Sequence, residues 1–237
     1  IERATVAAVA PDATAEIGGF LVAMDGGSIR RASSAVPLRH DLPHNPAALD
    51  RIESAYAERG LDAAFRVSDA PELEAVRAAL LARGYRPEQP TLVQLGAVSD
   101  LLALAQPGEV ADAPDESWSA VFLGPGFDAR DGAFRVRNLS RSPGAVFGSV
   151  REAGEAIAVG AGAFGHGFLS IHGMRTRQAR RGEGLAGRVL AALAQAARAR
   201  SVDRCFLQVE EGNAPARALY ARAGFVPAWR YFYWSRR

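Results

Sequence analysis

Apolar positions recur at two spacings along this chain and divide it into alternating helices and strands. Leu49, Ile52 and Tyr56 repeat at helical spacing, so a helix is predicted from Asn45-Pro46 through Arg59, with Gly60 as its stop. Ser68-Asp69-Ala70-Pro71 caps a second helix, Glu72–Arg83, ended by Gly84. Leu185, Val189, Leu193 and Ala196 define one face of a long alanine-rich helix. Asn213–Ala223 predicts a short helix closed by Gly224, and Ser99–Ala105 another. Residues 1–16 allow a helix limited by Pro11, and Trp118–Phe134 is expected to be partly helical with a break at Gly124-Pro125-Gly126.

Strand-like runs lie between these segments: Phe20–Met24 and Ser28–Pro37 around the turn Asp25-Gly26-Gly27, then Ala63–Val67 and Thr91–Val98. Further on come Ala145–Val150, Ala156–Phe164, Phe168–Met174, Asp203–Glu210 and Phe225–Ser235. His40–Pro46 and Pro107–Asp115 are expected to be loops. The order predicts a mixed α/β fold. One pattern occurs twice: Leu80-Leu81-Ala82-Arg83-Gly84-Tyr85 and Leu219-Tyr220-Ala221-Arg222-Ala223-Gly224-Phe225 each end a helix at glycine and an aromatic, just before a strand. A repeat at about half the chain length suggests two related lobes, with a boundary expected between residues 98 and 99.

Composition adds bounds. The chain has 237 residues, 49% hydrophobic and 23% charged, as in a globular protein. A formal charge of +2 is too small to point to nucleic acid. All 28 basic residues are arginine, which with abundant Ala and Gly reflects a compositional bias. No apolar run reaches the roughly 18–20 residues of a membrane span. The single Cys205 allows no internal disulfide or multi-cysteine metal site, and the expected location is the cytoplasm. The histidines have no metal-like spacing with carboxylates or cysteine, so no metal is expected. Ile1-Glu2-Arg3 carries neither an initiator Met nor a leader pattern, which suggests a trimmed chain.

The chemistry concentrates in Met174–Gly187. Four arginines (Arg175, Arg177, Arg180, Arg181) precede three glycines (Gly182, Gly184, Gly187) at the start of the alanine-rich helix. Glycines let backbone N–H groups face an anion, the helix adds its positive end, and Arg181 can add a charged hydrogen bond. Gly182-Glu183-Gly184-Leu185-Ala186-Gly187 also matches a dinucleotide fingerprint, but polar residues separate it from its strand and it lies near the C-terminus, which argues against that reading.

Arg181-Gly182-Glu183-Gly184-Leu185-Ala186 fits R-x-x-G-x-[GA], and Asn213 to Phe225 fits N-x-x-A-x-x-[LF]-Y-x-x-x-G-F. In that order, one helix and one strand apart, the pair resembles the GNAT family of acyl-CoA-dependent N-acetyltransferases, most securely over residues 145–237. The first half resembles a degenerate copy, without the arginine–glycine motif before its helix and with Leu81 where the second copy has Tyr220. Arg30 to Pro37 also resembles the N-terminal lobe of one bacterial subgroup of GNAT proteins.

The resemblance implies two tandem lobes, each a twisted, mainly antiparallel sheet flanked by helices, and one active site. It implies acetyl-CoA as donor, held by the backbone around Met174, Arg175 and Thr176, by Arg181 to Ala186, and near Asn213 and Ala216. It assigns Tyr220 as the acid that protonates the departing thiolate. The base is open between Glu210, His172, water and an unnamed group; some family members carry a glutamate at the place of Gln208. The implied acceptor is a primary amine of a small molecule or peptide, and Glu210 and Glu211 suggest a cationic one. An idle acyl-CoA-binding protein is the alternative.

Overall fold

We describe a computed structural model of the chain over residues 1–41 and 45–236. The middle of the loop expected at His40–Pro46 lies outside the described residues. In chain order the elements are α1 (Glu2–Val9), β1 (Ala13–Ile17), β2 (Phe20–Met24), β3 (Ala35–Pro37), α2 (Pro46–Ala57), β4 (Phe65–Ser68), α3 (Glu74–Ala82), β5 (Arg86–Ala97), α4 (Val98–Leu104) and β6 (Glu109–Ala111). They continue with α5 (Glu116–Leu123), α6 (Ala129–Ser140), β7 (Val146–Glu152), β8 (Glu155–Gly165), β9 (Phe168–Thr176), α7 (Leu185–Arg198), β10 (Arg204–Glu210), α8 (Ala214–Arg222) and β11 (Val226–Ser235).

The expected mixed α/β fold is observed, with all described strands in one sheet of order β1-β2-β3-β4-β11-β5-β10-β9-β8-β7-β6. Most neighbours are antiparallel; β3–β4 and β9–β10 are parallel. The order is nearly a mirror about the β11–β5 contact. Four strands on one side (β1 to β4) correspond to four on the other (β7 to β10), and each set is completed by the strand that ends the opposite repeat. Thus β11 pairs with β4, and β5 pairs with β10 over seven residues from Arg204↔Ala97 to Glu210↔Thr91. Such an exchange leaves no open edge at the centre of the molecule.

The repeated helix end explains how both exchanged strands are launched. Gly84 and Gly224 take φ of +86° and +80°, a region glycine enters without the Cβ penalty. In both, the aromatic after the glycine donates its N–H back into the helix, Tyr85 to Leu80 at 3.0 Å and Phe225 to Tyr220 at 2.9 Å. These bonds correct one expectation: Leu80, not Leu81, stands at the place of Tyr220. Leu80 is fully buried, whereas Leu81 is 45% exposed.

Apolar periodicity predicted the buried faces of the helices. Leu49, Ile52 and Tyr56 are all within 1% of full burial. Helix α7 is covered more widely than one stripe, because it lies between the sheet and α4. Three local expectations change. The run Ser28–Pro37 is not one strand: Arg30–Ala32 forms a 3-10 turn before β3. Residues 13–17 form β1 as a hairpin with β2 across Gly18-Gly19, since both glycines adopt positive φ. The connection at Pro107–Asp115 contains β6, a short strand on the sheet edge. No helix among the described residues is long and apolar enough to cross a membrane.

Candidate active site

Strands β9 and β10 pair only from Phe168↔Arg204 to Ile171↔Leu207. Beyond that they separate, because β9 turns away at a bulge. Val159 and Ala161 of β8 face Arg175 and His172, so β9 carries an extra residue there, and Gly173 in the bulge takes φ +60°. The separation opens a cavity of about 310 Å³ that passes between the two strands.

Side-chain alternation divides the cavity into two sides. Leu207, Val209 and Met174 belong to the core shared with α7 and α8, where Tyr220 also lies. His172, Gln208 and Glu210 point to the opposite face, toward α1 and the segment Ser28–Arg31. Asn213, Ala216 and Tyr220 reach the cavity from one face of α8, at spacings of three and four residues.

The arginine–glycine loop follows β9 and leads into α7. Residue Gly184 precedes α7 with φ +75° and gives it no side-chain cap, so the first N–H groups of α7 have no side-chain partner. Gly182 takes φ +87°; a Cβ at either glycine would meet nothing within 4 Å. Backbone conformation, not crowding, therefore requires glycine here. Ion pairing sorts the arginines. Arg180 holds Glu183 at 2.8 Å and also pairs Glu152, and Arg177 holds Glu155 at 3.1 Å. Arg175 bonds Asp131 at 2.9 Å and lies over the Phe122 and Phe127 rings. Arg181 alone of the four has no carboxylate partner among the described residues; it lies 5.8 Å from the Phe127 centroid. An uncapped helix start next to an unpaired guanidinium fits the pyrophosphate of a coenzyme. Glu183 is ion-paired in this loop, while Leu185 and Ala186 supply the first turn of α7.

Tyr220 is 7% exposed and packs edge-on to Phe225 at 5.8 Å. Its hydroxyl has no protein partner among the described residues, and burial pushes its pKa up to about 12. Asn213 caps α8 by accepting from the Ala216 N–H at 3.2 Å. Glu210 accepts from Gln89 Nε2 at 2.6 Å, and Gln89 accepts from Arg30 at 3.0 Å. Gln89 belongs to β5, so the exchanged strand contributes to the site. His172 is buried, its Nε2 has no hydrogen-bond partner, and burial reinforced by the charge of Arg31 pushes its pKa down to about 3. It is neutral near pH 7 and a weak base.

Gln208 has a structural occupation. Its Nε2 donates to Thr5 Oγ1 at 2.9 Å, and its Oε1 accepts from the Tyr231 hydroxyl at 2.9 Å. Both ends of the amide are engaged, which a carboxylate could not match because it has no donor. Glu211 is outside the cavity; it faces Arg230 at 3.5 Å. The suggestion of a cationic acceptor based on the Glu210–Glu211 pair is therefore corrected: only Glu210 of the two lines the cavity. Arg30, Arg31 and Arg135 line it as well, and no sequence pattern assigned them to a site, since they arrive from two distant segments.

In the first repeat the parallel pair β3–β4 has no comparable opening. The space beside it holds only about 10 Å³ and is closed by Arg66, Trp229 and Tyr231, with His40 stacked edge-on against Trp229 at 5.1 Å. A recess of about 600 Å³ beside α5 is lined by Val121, Pro125, Phe127 and Ala179 and by the ion-paired Arg177; it presents no group suited to moving a proton. No group of three or more His, Cys, Asp or Glu that could hold a metal occurs among the described residues.

Known proteins agree with this geometry. A GCN5-related N-acetyltransferase from Kribbella flavida superposes with a TM-score of 0.72 at 20% identity, over 99% of this chain and 93% of its own. A tandem GNAT protein from the clavulanic acid biosynthesis pathway gives 0.63 at 18% identity, covering 95% and 83%. A functionally unknown conserved protein from Staphylococcus epidermidis gives 0.66 at 9% identity, covering 94% and 92%. These likenesses establish the fold. A comparison with curated protein sequences gives no match. The family profile described as "Probable histone acetyltransferase Rv0428c C-terminal" matches residues 1–234, so the chain belongs to that acetyltransferase family, on a GNAT fold.

Proposed function

We propose that this protein transfers an acetyl group from acetyl-CoA directly to a primary amine of a small molecule or peptide. One observation carries the reading: Tyr220 and Glu210 line one cavity from opposite sides of the β9–β10 opening, and the loop that follows β9 leads into a start of α7 with no side-chain cap. In this reading the N–H groups of residues 182–186 and Arg181 hold the pyrophosphate. The backbone of Met174 to Thr176, unpaired on its β10 side, holds the pantetheine arm, and Asn213 and Ala216 flank it. The coenzyme supplies a thioester carbonyl as electrophile.

The chain's own groups manage the protons. The amine must lose a proton before its lone pair attacks, and Glu210, held by Gln89, receives it directly or through a water. As the C–N bond forms and the C–S bond breaks, the departing thiolate takes the Tyr220 proton, and the second proton lost by the attacking nitrogen returns Tyr220 to the phenol through solvent. A phenol with pKa raised to about 12 is fully protonated near pH 7 and so holds a proton to give. His172 is the weaker candidate for base, because its environment disfavours the charged form. The first repeat, residues 1–98, binds no coenzyme in this reading and instead builds the acceptor wall with Arg30, Arg31 and Gln89.

The test is release of CoA across a panel of amines, with isothermal titration of acetyl-CoA and NAD. Binding of acetyl-CoA with turnover of at least one amine is expected. Binding without turnover of any amine would favour the idle coenzyme-binding protein, and preference for NAD would remove the reading altogether.

A further inference from the structure

The acceptor side of the cavity has an unbalanced charge. Four guanidinium groups line it (Arg30, Arg31, Arg135, Arg175), against one carboxylate, Glu210. Three of them are engaged. Arg30 bonds Glu88 at 2.6 Å, and Arg135 and Arg175 share Asp131 at 2.7 and 2.9 Å. Arg31 has no carboxylate partner among the described residues, and its buried Nε has no hydrogen-bond partner. A second orphan lines the same space: Nε2 of His172, on a side chain 5% exposed. Arg31 is near enough for its charge to act on His172. Unsatisfied buried polar atoms are costly, and two together on one cavity wall mark a place where a ligand completes the bonding.

Resting on the proposed acetyl transfer, we infer that the acceptor carries an anionic group as well as its amine. The anion, a carboxylate or a phosphate, sits between Arg31 and His172 Nε2–H, and the amine faces Glu210. A guanidinium presents paired donors in a plane that suits either anion, and a neutral imidazole can add one more N–H. Diamines and polyamines would meet uncompensated guanidinium charge on this wall. Specificity then comes from a polar site that rejects analogues lacking the partner group.

The experiment compares CoA release with L-amino acids against their C-terminal amides, and with glucosamine 6-phosphate against glucosamine. These pairs differ mainly in the anionic group, and the two arms separate carboxylate from phosphate. The expected result is kcat/KM at least about tenfold higher for the anionic member of one pair. In Arg31→Ala and Arg31→Gln that ratio should collapse toward one through KM, with partial retention in Arg31→Lys; circular dichroism and thermal melting check that each variant is folded. Equal use of both members by the unmodified protein, or a ratio that survives in folded Arg31 variants, would overturn the inference. Absence of transfer to every amine would refute the acetyl-transfer reading instead. The anion site is then decided by titrating N-acetyl amino acids against their amides, where preference lost in Arg31→Ala supports it and equal or absent binding overturns it.

Discussion

Replacing Tyr220 with Phe removes one oxygen from a ring that stays packed against Phe225. The hydroxyl has no protein partner among the described residues, so its loss orphans no buried group. The expected change in folding stability is within about 0.5 kcal/mol, as for changes that break no specific interaction. The effect on turnover should be far larger. A positioned acid contributes roughly 10²–10⁴-fold, so kcat should fall by that factor, about 3–5 kcal/mol in activation free energy. Coenzyme affinity by titration should change less than about threefold, because the oxygen is assigned to the departing sulfur and not to ground-state binding. The pH profile adds an independent check. With the folded pKa at about 12, Tyr220 stays protonated throughout the range in which an ordinary phenol, near 10, would begin to ionise. The rate should therefore show no alkaline fall from Tyr220 up to about pH 10. The same shift affects stability in a defined direction. Its contribution is complete below the unfolded pKa near 10 and is lost as pH rises toward the folded value of about 12. The assay is steady-state CoA release with the best amine of the panel. A Tyr220→Phe protein that keeps kcat within about threefold would refute the assignment of Tyr220 as acid.

Other outcomes follow from the same geometry. His172 is held neutral with a pKa of about 3, so its contribution to stability is present above the unfolded value of 6.5 and lost as pH falls below it. Urea titrations at pH 7 and 4.5 should show a smaller drop in midpoint for His172→Phe than for the unmodified protein. Gln208→Leu deprives the buried Thr5 and Tyr231 hydroxyls of their shared partner and should cost about 1–3 kcal/mol in chemical denaturation. In Gly132→Ala the new Cβ would lie 2.2 Å from the Phe122 carbonyl oxygen, forcing α5 and α6 apart; a loss of about 1–3 kcal/mol is expected by thermal melting. A chain ended at Gly224 lacks β11, whose Tyr231, Tyr233 and Trp234 are each at most 3% exposed, and should not yield soluble folded protein.

The chain's local patterns already contained much of this. Apolar spacing gave the helices and their buried faces, because the periodicity that packs a helix is written in consecutive residues. Gly84 and Gly224 marked matching helix ends, because a left-handed terminus needs a residue without Cβ. The coenzyme-side candidates fell in two compact segments, Met174–Gly187 and Asn213–Phe225, because a strand–loop–helix unit and a capped helix are each continuous in sequence.

What only the tertiary structure decided concerns contacts between distant segments. No local pattern indicates that β5 and β11 exchange places, since pairing partners are chosen by the whole sheet. The proposed acceptor wall draws on that exchange through Gln89 of β5, and is completed by Arg30 and Arg31 from the turn before β3 and Arg135 from α6. Among twenty-eight arginines, the motif marked Arg181, but the sequence could not distinguish Arg31 from those already neutralised, because ion pairing depends on which carboxylates folding brings near. It also left Gln208 as a gap in a catalytic pattern, whereas the fold shows an amide bonded at both ends between α1 and β11. The sequence determined which segments are proposed to hold a coenzyme; the folded chain determined which charges remain uncompensated around the cavity, since charge balance belongs to a neighbourhood in space.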